Sequence, residues 1–322
     1  MWKILSFMQK NLVWMIPLMM VSGVVAGYFF SMNFLRVTVV PLTFLMVYPM
    51  MVNLQIEKVV TLTGWKCQLV TQIINFGIIP FVAFGFGRLF FADSPMVMLG
   101  LLLAALLPTS GMTISWTGFA KGNMNAAVQM TVVGLLLGSV ATPFYAKWLM
   151  GAVIDIPMRA IFTSIVVVVF LPMIFGYLTR KGIVKYWGKE QYQQNIKQKF
   201  PMLSTLGVLA IVFVAMALKS KSITADPGVL VNYLLPLALL YLVNFTLSTL
   251  IARLFFNRGD GIAIVYGSVM RNLSIALAIA MTAFAEQGSE IAVIITMAYI
   301  IQVQSAAWYV RFTDSFFGKI EQ

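Results

Sequence analysis

From Ile161 to Leu178 the chain carries no charged residue, and the same holds from Leu230 to Ala252. A helix of about 20 apolar residues crosses the hydrocarbon core of a bilayer. Only helices and closed barrels satisfy their backbone polar groups there. The apolar runs here are continuous rather than alternating, which excludes an outer-membrane barrel. With 61% hydrophobic and 10% charged residues, the expectation is an all-α integral membrane protein.

Charges, prolines and glycines divide the apolar sequence into ten expected spans: 11–30, 33–53, 67–91, 95–120, 123–151, 157–179, 201–220, 228–256, 260–285 and 289–313. The basic start MWKILSFMQK followed by an apolar run resembles a signal peptide. It lacks a small-x-small cleavage site and is read as a retained first helix. If the N-terminus is cytoplasmic, fifteen basic residues, Lys58 and Lys319 among them, fall in inner segments. Six fall outside: Arg36, Arg88, Lys147, Arg159, Lys219 and Lys221. That asymmetry predicts a multi-pass protein of the cell (inner) membrane with both termini cytoplasmic.

The basic stretch from Arg180 to Phe200 falls midway and reads as a cytoplasmic connector, with Tyr186 and Trp187 at the headgroups. It separates residues 1–179, holding a first repeat of helices 1–5 plus helix 6, from residues 201–322 with helices 7–10. Five spans per half make the second half insert upside down relative to the first, as in inverted-repeat transporters. FAKGNMNAAV from Phe119 and FAEQGSEIAV from Phe284, which includes Glu286, form a weak internal match at corresponding junctions.

Two spans are interrupted by polar residues. In LLPTSGMTISW, Leu106 to Trp116, Pro108 removes a backbone donor, and Thr109, Ser110, Thr113 and Ser115 supply hydroxyls. At about 1.5 Å per residue, this break lies about 22 Å from Asp93 and about 15 Å from Lys121. In SVMRNLS, Ser268 to Ser274, Arg271 lies about 16 Å from Asp260 and about 22 Å from Glu286. The expected fold is therefore ten transmembrane helices in two inverted five-helix repeats, with helices four and nine broken and crossing at mid-membrane. Half-helix N-termini there favour anions, and exposed carbonyls at C-terminal ends favour cations.

Arg271 is the one basic residue that no loop accommodates, and a bare guanidinium is costly at that depth. A functional role is the expectation, against a structural partnership with carbonyls. The hydroxyls have a structural alternative of their own, bonding back to their own helix. Gly134, Gly138 and Ser139 read as close-packing positions rather than a phosphate loop.

The net charge of +12 sits in loops between apolar spans, which argues for membrane anchoring and against nucleic acid. The chain has no histidine and one cysteine, Cys67. No metal, cofactor or enzymatic site is expected, since no buried Asp or Glu stands ready to activate a hydroxyl.

PTSGMTISWTGFAKGN at Pro108 to Asn123, ATPFY at Ala141 to Tyr145 and RNLSIALAIA at Arg271 to Ala280 resemble the bile acid/sodium symporter superfamily. FLMVYPMMVNLQIEKV at Phe44 to Val59 is more similar to its arsenical-resistance permease branch. The resemblance implies interleaved core and panel subdomains, crossed fourth and ninth helices and alternating access. It implies a cysteine near Thr109 and an acidic residue near Gln302 in arsenite permeases, and neither is present. In the sodium-coupled branch, the ion-site pattern falls on Ser115, Trp116, Gly267 and Arg271. Only Gln72, Ser115 and Asn272 keep suitable oxygens as ion ligands.

The reading is a secondary transporter of a small anionic solute, exporting arsenite or a related oxyanion. The alternative is a sodium-coupled symporter of an organic anion. Candidate substrate residues are Thr109, Ser110, Thr113, Ser115, Arg271, Asn272, Ser274 and Gln302. The expected partners are a small-molecule solute and the lipid bilayer, with the coupling ion open between proton and sodium.

Overall fold

The computed structural model describes residues 2–55, 64–284 and 287–318, and these are helical with no strand. Lys58, Glu286, Lys319 and the charged end of the FLMV segment, 56–59, lie outside the described residues.

In chain order the helices are α1 (Trp2–Lys10), α2 (Leu12–Phe29), α3 (Val39–Val52), α4 (Trp65–Gln72), α5 (Ile79–Phe90), α6 (Pro95–Leu106), α7 (Gly111–Phe119) and α8 (Met124–Met150). There follow α9 (Met158–Ile165), α10 (Leu171–Trp187), α11 (Lys189–Gln191), α12 (Lys199–Ala225), α13 (Gly228–Phe255), α14 (Arg258–Val269), α15 (Leu273–Ala283) and α16 (Gly288–Phe317). Some of these join through 3-10 or π turns. Eight continuous helical stretches among the described residues are long and apolar enough to cross a membrane: Leu12–Phe29, Asn33–Val52, Trp65–Phe90, Met124–Met150, Met158–Trp187, Lys199–Ala225, Gly228–Phe255 and Gly288–Phe317. The expected fourth and ninth spans are each found as two short helices, α6 with α7 and α14 with α15.

Prolines explain several local features. Pro80 and Pro172 each follow a π turn, Ile73–Ile78 and Val166–Phe170, because a missing N–H shifts the hydrogen-bond ladder by one residue. Pro80 cannot donate to the carbonyl four residues earlier, and that oxygen, on Phe76, accepts the Tyr145 hydroxyl at 2.7 Å. Pro201 likewise leaves Lys197 O free, and Asn53 Nδ2 donates to it at 2.9 Å.

The expected connector, read as part amphipathic helix, begins as a continuation of α10. α10 runs past residue 179 without interruption to Trp187 and stops at Gly188, whose φ of 82° suits glycine. Tyr192 then turns back, its hydroxyl bonded to Asn53 Oδ1 at 2.8 Å.

The chain forms two compact units, Met1–Leu54 with Pro157–Leu230 and Ser274–Thr296, and Gln55–Ile156 with Val231–Leu273 and Met297–Gln322. Each unit draws on both sequence halves. In the first, α12 packs on α2 and α3 at close range. A Cβ on Gly27 would lie 2.1 Å from Ala217 O, so only glycine permits that approach.

In the second unit, α6, α7, α8 and α14 surround the two helix breaks. The loop ahead of α8 and the loop ahead of α14 are clasped together: Asn123 and Asn257 both donate to the Asp260 carboxylate, at 2.7 and 3.0 Å. Asn123 and Asn257 also cap their own helices.

Candidate substrate site

α6 ends at Leu106 because Pro108 cannot continue the ladder, and Thr109 follows with φ 61°, a conformation rare for a β-branched residue. α14 ends at Val269. The two breaks meet: Pro108 and Arg271 form an antiparallel β-bridge, and Asn272 N donates to Leu107 O at 2.7 Å. Backbone groups released by one break are thus satisfied by the other.

Arg271 lies in this junction and is 3% exposed. Its Nη1 donates to Ala105 O at 3.1 Å, one of the carbonyls freed at the end of α6. Its Nη2 has no hydrogen-bond partner among the described residues. No carboxylate among them pairs with it; the ion pairs found are Lys147–Asp155, Lys219–Glu290 and Arg258–Asp314.

Gln302, from α16, holds the peptide of Arg271 at both ends. Its Oε1 accepts from Arg271 N at 2.8 Å, and its Nε2 donates to Arg271 O at 3.1 Å. Tyr241, from α13, donates its hydroxyl to the same Oε1 at 2.8 Å. Two further amides cover the end of α14: Asn75 Nδ2 donates to Gly267 O at 3.1 Å, and Asn244 Nδ2 to Ser268 O at 3.0 Å. The carbonyls that favour a cation at a helix C-terminus are therefore met by protein N–H groups.

The remaining candidates divide. Thr109 is fully buried, and its hydroxyl is shared between Pro108 O at 2.7 Å and Thr131 O at 3.2 Å. Ser110 and Thr113 form a capping box on α7: Ser110 Oγ accepts from Met112 N, and Thr113 Oγ1 accepts from Ser110 N. Ser115 lies on the exposed face of α7, opposite the buried Thr113 and Thr117. Asn272 is buried beside Arg271 in sequence, whereas Ser274 is half-buried and falls in the first unit.

The three expected ion ligands differ in their surroundings. Both amide atoms of Gln72 are buried without partners among the described residues, whereas Ser115 is on the exposed face of its helix. The neighbouring α14 carbonyls are occupied by Asn75 and Asn244. Tyr241, Asn75 and Asn244 escape a reading that looks for charge and helix breaks, since each is an uncharged polar residue in an unbroken apolar span. Their midspan position is the only signal they give.

The model of the sodium bile acid symporter family matches residues 40–226, more than half of the chain. The chain belongs to the sodium bile acid symporter family. It is a multi-pass integral membrane protein, and its family is one of transporters rather than enzymes.

Within this family, the arsenical-resistance protein Acr3 of Alkaliphilus metalliredigens is 27% identical over 58% of this chain and 56% of its own length. The matched region thus spans little more than half of that relative. Acr3 of Corynebacterium glutamicum is 22% identical, covering 74% of this chain and 68% of its own. Sodium/bile acid cotransporter 7 of Rattus norvegicus is 23% identical, covering 71% and 68%. This member of the sodium bile acid symporter family therefore matches relatives named for arsenical resistance and for sodium/bile acid cotransport.

Proposed function

We propose that the chain is a secondary transporter of a small anionic solute, working by alternating access across the cell membrane. The observation that carries this reading is the buried Arg271 guanidinium, with Nη2 unpartnered and no carboxylate paired to it among the described residues. A fixed, uncompensated cation is stable in a buried site when the transported molecule completes its coordination. The unpartnered Nη2 of Arg271 supplies the donor for an oxyanion, a carboxylate or a sulfonate.

The accompanying architecture is ten spans in two inverted repeats, with the broken helices meeting at mid-membrane and both termini cytoplasmic. Support comes from five expected spans per half, the excess of basic residues in inner segments and the bridge between Pro108 and Arg271. The arsenical-resistance relatives direct attention to arsenite and related oxyanions and to export. Thr109 and Gln302 provide no thiolate or carboxylate, so any such solute would be held through its oxygens.

Sodium-coupled uptake of an organic anion is the competing reading, favoured by the Gln72 amide, which has no partner among the described residues, and by the cotransporter relatives. The capped α14 carbonyls weigh against it. Proteoliposomes of the full chain test both. Anion flux independent of a sodium gradient, falling about tenfold or more in Arg271→Gln, is expected. Unchanged flux in that variant would refute the anion reading, and a strict sodium requirement would establish the competitor.

A further inference from the structure

The fully buried Gln302 has the length of a glutamate but none of its charge, and its position makes that difference consequential. Both of its amide atoms are committed. Oε1 faces two donors, Arg271 N–H and the Tyr241 hydroxyl, and Nε2 faces one acceptor, Arg271 O. A flipped amide would oppose donor to donor and acceptor to acceptor, so the network fixes its orientation. Gln302 spends its polarity on the backbone of Arg271 and leaves the guanidinium charge untouched.

We infer that Gln302 sets the charge selectivity of the site, holding the Arg271 peptide while keeping its positive charge available to an anionic solute. This rests on the anion reading above and deepens it by naming the residue that makes monoanions preferred over uncharged hydroxylated molecules. Tyr241 is a positioning residue in the same device, because its hydroxyl adds a second donor to the Oε1 that the Arg271 peptide already orients.

The inference follows from what a carboxyl group would do in the same place. A glutamate carboxylate could accept from Arg271 N–H and Tyr241, but it has no hydrogen for Arg271 O. It would also place a negative charge beside the guanidinium in a medium that screens poorly, cancelling the attraction for a second anion. The neutral acid, by contrast, donates its O–H to Arg271 O and reproduces the clamp of the amide. No carboxylate pairs with Arg271 among the described residues of the natural protein, so no carboxyl group among them is paired with it to titrate.

The test uses the full-length protein in lipid vesicles. Binding of a panel of carboxylates and sulfonates, with their uncharged carboxamide and sulfonamide analogues, is measured from mildly acidic to mildly alkaline pH. For the natural protein, anion affinity is expected to be flat with pH once the ionisation of the anion itself is allowed for. For Gln302→Glu it is expected to fall about tenfold or more toward alkaline pH and to recover on acidification. A Gln302→Glu protein with the natural affinity at alkaline pH would overturn the inference.

Gln302→Met, which removes the clamp but adds no charge, keeps the inference testable if the glutamate variant does not fold. It is expected to bind more weakly and without pH dependence, while still preferring anions to their uncharged analogues. Loss of that preference would show that amide contacts, rather than the free charge on Arg271, determine selectivity. Failure of the underlying reading looks different: anion binding would then be absent, or equal in Arg271→Gln.

Discussion

The hydroxyl of Thr109 is seated against Gly134 of α8, so closely that a Cβ at position 134 would stand 2.5 Å from Thr109 Oγ1 and 3.2 Å from its Cγ2. Thr109 already holds a left-handed φ of 61°, and Pro108 ahead of it is seated over Gly138 in the same way. The first helix break is therefore moulded to a glycine face of α8. Gly134→Ala is expected to displace Thr109 and to destabilise the protein by about 1–3 kcal/mol, the usual cost of overpacking. Gly111→Ala is the control, since a Cβ there meets nothing within 4 Å. Thermal unfolding in detergent should separate the two variants, and equal midpoints would contradict the packing argument.

Arg271→Lys tests geometry apart from charge. Lysine keeps the positive charge but presents one compact ammonium in place of a planar fork. It cannot both bond Ala105 O as Nη1 does and offer the unpartnered donors of Nη2. Anion affinity is expected to fall by about tenfold, equivalent to about 1.4 kcal/mol and to the loss of one charge-assisted hydrogen bond. The expected order in a binding titration is Arg, then Lys, then Gln. Lysine equal to arginine would mean that net charge alone holds the solute.

Much of this arrangement was legible in the amino-acid sequence because bilayer physics leaves few choices. Apolar runs became helices, and the two runs with polar interruptions, at Pro108–Thr109 and Arg271–Asn272, became the broken ones. Gln302 was misleading on its own. A polar residue in the tenth span looked like a solute ligand, yet its amide is consumed by the backbone of Arg271, 31 residues away. Ser110 and Thr113 look like ligands too, and they cap α7 instead. Ser115 could not be assigned to a face until the start of α7 was fixed by that cap. Asn75 and Asn244 acquire meaning only from Gly267 and Ser268, which are far from Asn75 in sequence. Side-chain satisfaction of backbone groups is a tertiary property, and no local pattern announces it.

Pro80 and Tyr145 should be energetically coupled. Tyr145→Phe removes the donor that serves Phe76 O, which the proline ring cannot reach. A buried carbonyl left bare costs about 1–3 kcal/mol. Pro80→Ala restores an N–H to the ladder and offers that carbonyl a helical partner. In a double-mutant cycle read by thermal unfolding, the pair is expected to lose less stability than the sum of the single variants, by about 0.5 kcal/mol or more. Strict additivity would show that the tyrosine bond and the missing proline donor are unrelated.

Asn75 offers the sharpest test of how the α14 terminus is held. Its Nδ2 donates to Gly267 O, and the same end of the helix receives Asn244 Nδ2 at Ser268 O. Asn75→Ala removes one donor and is expected to destabilise by about 1–3 kcal/mol through the unsatisfied carbonyl. Asn75→Asp is nearly the same shape, but when ionised it sets two acceptors against Gly267 O and buries a charge. It should therefore be less stable than the alanine variant at alkaline pH. Acidification restores an O–H that can donate to Gly267 O, so its unfolding midpoint should rise toward that of the natural protein. The alanine variant has no such group, and its deficit should not change with pH. If the two variants titrated alike, Asn75 would act by filling space, and the cap on Gly267 would contribute nothing to the stability of the break beside Arg271.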